Sequence, residues 1–389
     1  MTSEAIKVNL AGLSLSKMQT FFTDLAEKPF RASQVMRWIH QRGVTDIQQM
    51  TDISKVLRDK LDQVAEIKLP LIVDEFHSSD GSQKWIVEIA SGSRVETVFI
   101  PEADRGTLCI SSQAGCSLDC SFCATGKQGF NSNLSVAEIV GQLWWANYKL
   151  GGFDSGNERP ISNVVMMGMG EPLLNFDNVM DAVNIMMDDL AYGLSKRKVT
   201  ISTSGVVPAI RKLKDFTDAS LAISLHAPND ELRSQIMPVN RKYPIHELLE
   251  AVEEYMDSLA DKRVPVIEYT LIAGINDHRQ HARDLAKLLA TFPCKINLIP
   301  FNPFSMSDFK KPSNSSISNF RQILLQAGFT VTVRTTRGDD IAAACGQLVG
   351  EVNDTTRRSS RHKARSQVLS NGKAPGASEN LAVPAETIV

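Results

Sequence analysis

The chain has 389 residues, long enough for two or three domains, and its 43% hydrophobic and 22% charged residues exclude a wholly disordered protein. A net charge of −2, from 42 basic and 44 acidic residues, neither requires nor excludes a nucleic-acid partner. The sequence has no run of about 18 apolar residues and its start lacks the pattern of a signal peptide, so we expect a cytoplasmic protein with no membrane contact.

The first 68 residues have the apolar spacing of helices. The recurring apolar residues are Phe30, Val35, Met36, Trp38 and Ile39, then Ile53, Val56, Leu57 and Leu61. We interpret residues 1–68 as an N-terminal helical accessory domain. From 69 to 104 apolar and polar residues alternate around the turns SSDGS and SGS, which predicts a short antiparallel β meander.

Residues 105–350 alternate short apolar segments with amphipathic ones. The predicted strands are TLCISS at 107, NVVMMG at 163, KVTIST at 198, SLAISLHA at 220, VPVIEYTLI at 264 and CKINLIP at 294. Ser135 and Glu138 have the spacing of a capping box at the start of the first helix. Repeated strand–helix alternation predicts a parallel sheet, to which TVTVRTT at 330 can add a seventh strand. We expect an α/β fold, an incomplete (β/α)6-type barrel, followed by a basic, disordered tail at 351–389.

Three of the six cysteines fall within eight residues. Cys116, Cys120 and Cys123 have the spacing C-x3-C-x2-C directly after the first barrel strand. Three thiolates on one loop can each bind one iron of a [4Fe–4S] cluster and leave the fourth iron open for a ligand. The alternative is a zinc site with a fourth ligand elsewhere in the chain, for which Cys109 is a candidate. Zinc sites usually use paired C-x2-C units, and the sequence has no second pair, which favours the cluster.

A C-x3-C-x2-C loop after the first strand of a partial barrel resembles the radical S-adenosylmethionine (SAM) superfamily. The resemblance implies that SAM chelates the open iron and that one electron cleaves it to methionine and a 5′-deoxyadenosyl radical. Such barrels place their sites at the C-terminal ends of the strands, so we expect the SAM contacts there. The predicted SAM-binding residues are Gly170, Glu171, Ser202, Ser224, Leu225, His226 and Asn302. A glycine-rich turn or a lone histidine is more often structural, and the prediction depends on their shared position at successive strand ends.

Six segments make the resemblance more specific. In chain order they are QAGC-x3-C-x2-C, GMGEPLLN, TISTSGVVP, SLHAPND, KINLIPFNPF and RGDDIAAACGQL. Together they resemble the RlmN/Cfr family of RNA methyltransferases, and the resemblance begins at KPFRASQVMRW near the N-terminus. It implies methylation of C2 of an adenosine in 23S rRNA and in certain tRNAs, with two SAM molecules per turnover. Other family members methylate C8 of the same base, and the long N-terminal segment favours C2.

The family resemblance also implies roles for three further residues. Cys345 receives a methyl group, and the derived methylene joins the protein to the adenine. Glu96 is the proton acceptor, and Cys109 is the thiol that releases Cys345 through a transient Cys109–Cys345 disulfide. Without the resemblance, each cysteine is best explained as a small buried apolar residue and Glu96 as a solvated strand residue. We leave Cys294 with that structural interpretation.

Local basic clusters permit an RNA partner. They are Lys196, Arg197 and Lys198; Arg211, Lys212 and Lys214; Lys310 and Lys311; and Arg357, Arg358, Arg361, Lys363 and Arg365. Any single cluster is more often a solvated face. We expect the N-terminal domain and these clusters to hold the RNA backbone, an external donor such as flavodoxin to reduce the cluster, and a monomer.

Two other functions remain compatible with the residues alone. One is a C8 adenine methyltransferase that uses the same cluster and cysteines. The other is a non-catalytic iron–sulfur protein that binds RNA or senses redox state, which explains the cluster and the basic residues but gives no role to the strand-end SAM positions.

Overall fold

The computed structural model of the chain describes residues 7–154, 159–356 and 358. Its N-terminal region contains three helices and a pair of two-residue parallel strands. These elements are β1 (Val8–Asn9), α1 (Leu15–Asp24), α2 (Arg31–His40), α3 (Lys55–Val64) and β2 (Ala65–Glu66). Each helix buries a spaced apolar set, such as Met18 and Phe22 in α1 and Leu57 and Leu61 in α3.

Two residues of the predicted apolar pattern do not join this core. Phe30 precedes α2 and is 51% exposed, while Val56 is 81% exposed on α3. Position 56 lies about 100° around the helix from Leu57, which is buried, so the two side chains leave the helix in different directions. Val35, Met36 and Ile39 are buried as the helical spacing predicts.

A three-stranded antiparallel meander leads into the main sheet. It consists of β3 (Leu71–His77), β4 (Gln83–Glu88) and β5 (Arg94–Glu102), and β5 pairs antiparallel with β6 (Arg105–Cys109), the first strand of the barrel. A small hairpin follows, formed by β7 (Gln113–Gly115) and β8 (Phe130–Asn133), with the short helix α4 (Ala124–Gln128) between them. The meander therefore extends the barrel sheet.

Strands and helices then alternate to the end of the sheet. They are α5 (Val136–Lys149), β9 (Asn163–Met166), α6 (Phe176–Met187), β10 (Val199–Thr203), α7 (Val207–Lys212), β11 (Ser220–Ser224), α8 (Asp230–Ile236), α9 (Ile245–Asp257), β12 (Val266–Leu271), α10 (Arg279–Leu288), β13 (Lys295–Pro300), α11 (Asn314–Gln326) and β14 (Thr330–Val333). The capping box at the start of α5 is confirmed, because Ser135 Oγ accepts from the Glu138 N–H and the Glu138 carboxylate accepts from the Ser135 N–H.

The sheet has the order β14-β13-β12-β11-β10-β9-β6-β5-β4-β3, with β14 and β3 at its edges. Within the described residues, β6 and β9 to β14 form seven parallel strands that are joined by six helical crossovers. The predicted α/β class and incomplete barrel are confirmed, and TVTVRTT does supply the seventh strand. The central strands β11 and β12 bury most of their side chains, as strands inside a covered parallel sheet do, whereas the edge strand β14 alternates between buried and exposed residues.

The predicted C-terminal tail, 351–389, lies mostly outside the described residues. Its described part, 351–356 and 358, forms hydrogen bonds with the body of the protein; the Arg94 N–H, for example, donates to the Glu351 carbonyl at 2.8 Å. No helix among the described residues is long and apolar enough to cross a membrane.

Acidic partners neutralise part of two basic clusters. Lys196 pairs with Asp218 at 2.7 Å, Arg197 with Asp261 at 3.1 Å, and Arg211 with glutamates of α9. These clusters therefore offer less free positive charge to an RNA backbone than the sequence alone indicates.

Candidate active site

A cleft of about 940 Å³ opens at the C-terminal ends of the parallel strands. Parallel strands present these ends on one edge, so polar residues that follow different strands converge there. The predicted site residues that line the cleft are Cys116, Cys120, Cys123, Gly170, Glu171, Ser202, Ser224, His226, Asn302 and Cys345. Residues separated by more than two hundred positions in the chain thus share one cavity.

The three clustered cysteines lie on a loop that the β7–β8 hairpin closes. We call residues 116–129 the cluster loop. Its ends are tied together by the Cys116 N–H, which donates to the Gly129 carbonyl at 2.7 Å. Burial, together with the nearby thiols, raises the pKa of Cys120 to about 12 and that of Cys116 well above its usual range. Crowded buried thiols of this kind become thiolates readily only when a cation binds them.

The donor set of this loop fits an iron–sulfur cluster better than a single ion. No group of three or more His, Cys, Asp or Glu side chains in the described part of the chain is arranged to hold one metal ion. A cubane spaces its thiolates more widely, because each thiolate binds a different iron. Cys109, the candidate fourth ligand of the zinc alternative, lines a different cavity from the three cysteines of the loop.

The glycine-rich segment after β9 packs against residues 110–113, the stretch that leads into the cluster loop. Gly168 packs against the Ile110 carbonyl and Gly170 against Gln113, so closely that an added Cβ would lie 2.6 and 2.5 Å from them. The Glu171 carboxylate accepts hydrogen bonds from Thr203 Oγ1 at 2.6 Å and from the Ser204 N–H at 2.7 Å. Glu171 therefore ties the end of β10 to this segment, which leaves less of its carboxylate for an ammonium group.

Gly170→Ala is expected to weaken SAM binding. Gly170 has a φ of 99°, and the new Cβ would clash with Gln113 beside the cleft. The strained backbone costs about 1–3 kcal/mol. Gly328→Ala is the matched control, because Gly328 has a φ of 91° but nothing within 4 Å of its added Cβ. SAM titration of the reconstituted cluster, followed by its absorption spectrum, should show weaker binding for Gly170→Ala alone. Equal SAM affinity in both variants would contradict the prediction.

His226 is held as a neutral ring in the cleft. It has a φ of 58°, its Nδ1 accepts from the Thr270 N–H at 2.9 Å, and its ring meets that of Phe122 at 4.7 Å. Burial, together with the charge of Arg233, lowers the pKa of His226 to about 3. With Nδ1 used as an acceptor, the neutral ring carries its proton on Nε2. Its neighbour Leu225, also a predicted SAM contact, is fully buried and does not line the cleft.

Two buried charged residues support these strand ends, and the sequence analysis missed both. Glu268 of β12 accepts from Ser202 Oγ at 3.2 Å, and its Oε1 has no hydrogen-bond partner among the described residues. Arg233 of α8 donates to the carbonyls of Ser204, Ser224 and Leu225 at 2.6 to 3.1 Å. The acidic residue inside the apolar run VPVIEYTLI was a usable signal for Glu268, whereas LRSQ contains none for Arg233.

A second cavity of about 490 Å³ contains two of the three cysteines that lie outside the cluster loop. Cys109, Cys345 and Arg334 line it, and Cys345 also lines the larger cleft. The Cys345 carbonyl accepts from Asn302 Nδ2 at 3.1 Å, and the Gly346 carbonyl accepts from the Ala124 N–H of the cluster loop at 2.9 Å. Burial raises the pKa of Cys109 to about 12 and that of Cys345 to about 11, and Arg334 opposes both shifts.

Glu96 is buried in an ion pair beside this cavity. It is only 3% exposed, so the usual interpretation of a strand glutamate as solvated is wrong here. Its carboxylate accepts from Lys84 Nζ at 3.3 Å and from the Val349 N–H at 3.3 Å. Burial raises the pKa of Glu96, and Lys84 offsets only part of that rise. Lys84, which the sequence analysis missed, also donates to the Ala342 carbonyl at 3.4 Å and so contacts the segment that carries Cys345.

Comparison with known proteins identifies two matching domains and several proteins that are similar over most of the chain. Residues 8–67 match the ribosomal RNA large subunit methyltransferase N-terminal domain, and residues 110–286 match the radical SAM superfamily. The chain is 60% identical over 369 residues to the dual-specificity RNA methyltransferase RlmN of Saccharophagus degradans, which covers 95% of this chain and 93% of that protein. It is 61% identical to RlmN of Marinobacter nauticus over 95% of this chain and all of that protein. A crystal structure of a radical SAM methyltransferase from Sphaerobacter thermophilus superimposes with a TM-score of 0.80 at 39% identity, covering 88% of this chain and 99% of that one.

Proposed function

The chain belongs to the RlmN family of radical SAM RNA methyltransferases, and on this premise we propose that it methylates C2 of an adenosine in 23S rRNA and in certain tRNAs. The enzyme uses one [4Fe–4S] cluster and two SAM molecules per turnover. One observation carries the proposal: Cys345 lines both the cleft of the three clustered cysteines and the cavity of Cys109. C2 of adenine is electrophilic and cannot attack the methyl group of SAM, so a one-carbon unit held on a protein sulfur suits this substrate.

Cys345 is proposed to carry that one-carbon unit. When bound, one SAM would supply the methyl group of the Cys345 sulfur, and the cluster with a second SAM would supply the 5′-deoxyadenosyl radical that converts this methyl group to a methylene. Cys116, Cys120 and Cys123 are the proposed ligands of the cluster. Gly170, Glu171, Ser202, Ser224, Leu225, His226 and Asn302 are the proposed SAM contacts. The hydrogen bond from Asn302 Nδ2 to the Cys345 carbonyl supports this assignment of residues, because it holds Cys345 beside a proposed SAM contact at the cleft.

Glu96 and Cys109 are proposed to complete the reaction. Glu96 accepts the proton of adenine C2 once the methylene is bound there, and the adduct also gives up its unpaired electron, which balances the one electron that cleaved SAM. The Cys109 thiolate then attacks Sγ of Cys345 and forms an S–S bond, and the electron pair of the broken S–C bond stays on the methylene carbon, which takes a proton to become the methyl group. Arg334 favours the Cys109 thiolate against the effect of burial. The disulfide then needs two electrons from an external reductant.

The N-terminal domain is proposed to contact the RNA backbone. Its described surface carries basic side chains beside an exposed aromatic ring, with the Arg31 guanidinium 4.8 Å from the Phe30 ring centre. Exposed aromatic rings with neighbouring arginines suit unstacked bases, and backbone contacts make binding weaken as salt rises. We also propose an external electron donor such as flavodoxin, action as a monomer and a cytoplasmic location.

The product of the reaction tests the function. The cluster is reconstituted without oxygen, and the protein is incubated with SAM, a reductant and unmodified ribosomal RNA before the RNA is digested to nucleosides. We expect 2-methyladenosine together with 5′-deoxyadenosine. 8-Methyladenosine would assign the chain the alternative carbon. An intact cluster that yields neither methylated adenosine nor 5′-deoxyadenosine would contradict the proposal and favour a non-catalytic iron–sulfur protein.

A further inference from the structure

One arginine of the C-terminal segment binds the backbone of the cluster loop. Arg358 Nη1 donates to the carbonyls of Cys116 at 2.9 Å, Leu118 at 3.1 Å and Gly126 at 3.2 Å, and Nη2 donates to the carbonyl of Ser117 at 2.8 Å. Four carbonyls from both ends of the loop therefore converge on one guanidinium. Three of these carbonyls belong to the irregular part of the loop and that of Gly126 belongs to the short helix α4, and buried backbone carbonyls need donors to satisfy them.

The chain that leads to Arg358 is itself fastened to the same loop and its hairpin. We call residues 348–356 the C-terminal strap. Thr125 Oγ1 donates to the Leu348 carbonyl at 2.8 Å, and Asn131 Nδ2 donates to the Asn353 carbonyl at 2.8 Å. The Thr355 N–H donates to the Phe130 carbonyl at 3.0 Å. These contacts bring Arg358 to the cluster loop, although it lies 242 positions after Cys116 in the sequence.

Among the described residues, no carboxylate forms a salt bridge with Arg358. All the salt bridges in the described part of the chain involve other residues, and every hydrogen bond of the Arg358 guanidinium goes to a backbone carbonyl of the loop. A guanidinium is planar, permanently charged and has five N–H donors, so it can serve several carbonyls and still act as a positive charge.

We propose that Arg358 is a positioning residue of the iron–sulfur site, which holds the cluster loop in its ligand geometry and raises the reduction potential of the cluster. The inference rests on the proposed function only in that Cys116, Cys120 and Cys123 hold the cluster. Partners outside the ligand set orient the ligands, and nearby positive charge favours the reduced cluster, which carries one more negative charge. Loss of Arg358 leaves its carbonyl partners without their donor and removes that charge.

Two substitutions separate the hydrogen bonds from the charge. Arg358→Gln removes both the charge and most of the donors, while Arg358→Lys keeps the charge but cannot span the four carbonyls. The readouts are the rate at which the reconstituted protein loses iron to a chelator and the midpoint potential from a redox titration followed by the EPR signal of the reduced cluster. Arg94→Gln is the matched control, because Arg94 pairs with Glu351 of the same strap at 2.8 Å without touching the cluster loop.

The two variants are expected to differ in one readout only. Iron loss should be about 10–100-fold faster in both, the range found when outer partners of metal ligands are removed. The midpoint potential should fall in Arg358→Gln and stay near that of the unmodified protein in Arg358→Lys. Arg94→Gln should change neither, and the melting temperatures of the cluster-free proteins show whether all variants fold.

Two results would overturn the inference. Unchanged iron loss in Arg358→Gln would remove the positioning role, and an unchanged midpoint potential would remove the electrostatic one. Neither readout uses RNA or methyl transfer, so failure of the proposed function would leave both measurements intact and interpretable.

Discussion

Cys345→Ala is expected to abolish RNA methylation while the cluster still assembles. The substitution removes the sulfur that carries the one-carbon unit, and no neighbouring thiol of the described chain takes the same position between the two cavities. The cluster loop contacts this segment through the Gly346 carbonyl, a backbone group that the substitution keeps. Methylated adenosine should therefore fall to background, whereas the iron content and the spectral response to SAM stay at the level of the unmodified protein.

Cys294→Ala is the matched control for this experiment. Cys294 is a half-buried free cysteine that precedes β13, at the end of the barrel opposite the cleft, and lines a separate cavity. Its loss should leave methylation unchanged. Full methyl transfer by Cys345→Ala would rule out the S-methylcysteine mechanism, and loss of the cluster in that variant would assign Cys345 a structural role instead.

Glu96→Gln is expected to slow methylation by about 10²–10⁴-fold, the usual contribution of a positioned general base. Glutamine has the same shape and can still accept from the Val349 N–H, but it cannot take the proton of adenine C2. The protein–RNA adduct should accumulate as a species that migrates above the free protein in a denaturing gel. A variant that methylates at the normal rate would exclude Glu96 as the base.

The pH dependence of the rate tests the same base through Lys84. Burial raises the pKa of Glu96 and Lys84 lowers it, with the net shift upward. Because the base acts when deprotonated, the rate should rise with pH through this raised pKa and then level off. Lys84→Met removes the opposing charge, so the pKa of Glu96 should rise further and the acidic limb of the profile should move to higher pH.

Lys149→Met serves as the control for the profile. Lys149 of α5 pairs with Glu75 of β3 at 2.8 Å, and neither residue lines the cleft or the cavity of Cys109 and Cys345. The substitution therefore removes a lysine ion pair of the meander that does not involve Glu96. Its profile should match that of the unmodified protein. An acidic limb that stays in place in Lys84→Met would contradict the assignment of Glu96.

The local features of this protein follow from short segments of sequence. The capping box of Ser135 and Glu138 uses residues three positions apart, and the cluster loop uses three cysteines within eight positions. Alternating apolar strands and amphipathic helices predict the partial barrel, because each element has its own period. Polar residues at the strand ends converge because parallel strands end on one edge of the sheet.

Other parts of the site were reached only through the family resemblance. Nothing in the sequence around Glu96 distinguishes it from a solvated strand residue, and nothing near Cys109 or Cys345 indicates that they share a cavity. The resemblance named all three residues, and the tertiary structure adds what surrounds them. Glu96 is buried against Lys84, and Arg334 lies with the two thiols.

The sequence by itself thus determined the fold class, the cluster loop and the strand ends, which depend on neighbouring residues and on regular periods. Only the tertiary structure decided the environment of Arg233, Glu268, Lys84 and Arg358. Lys84 contacts a carbonyl 258 residues away, and Arg358 contacts one 242 residues away. Such contacts stabilise a charged group, or shift its pKa, only once folding has removed that group from water. No local sequence pattern encodes which distant backbone groups will replace the water.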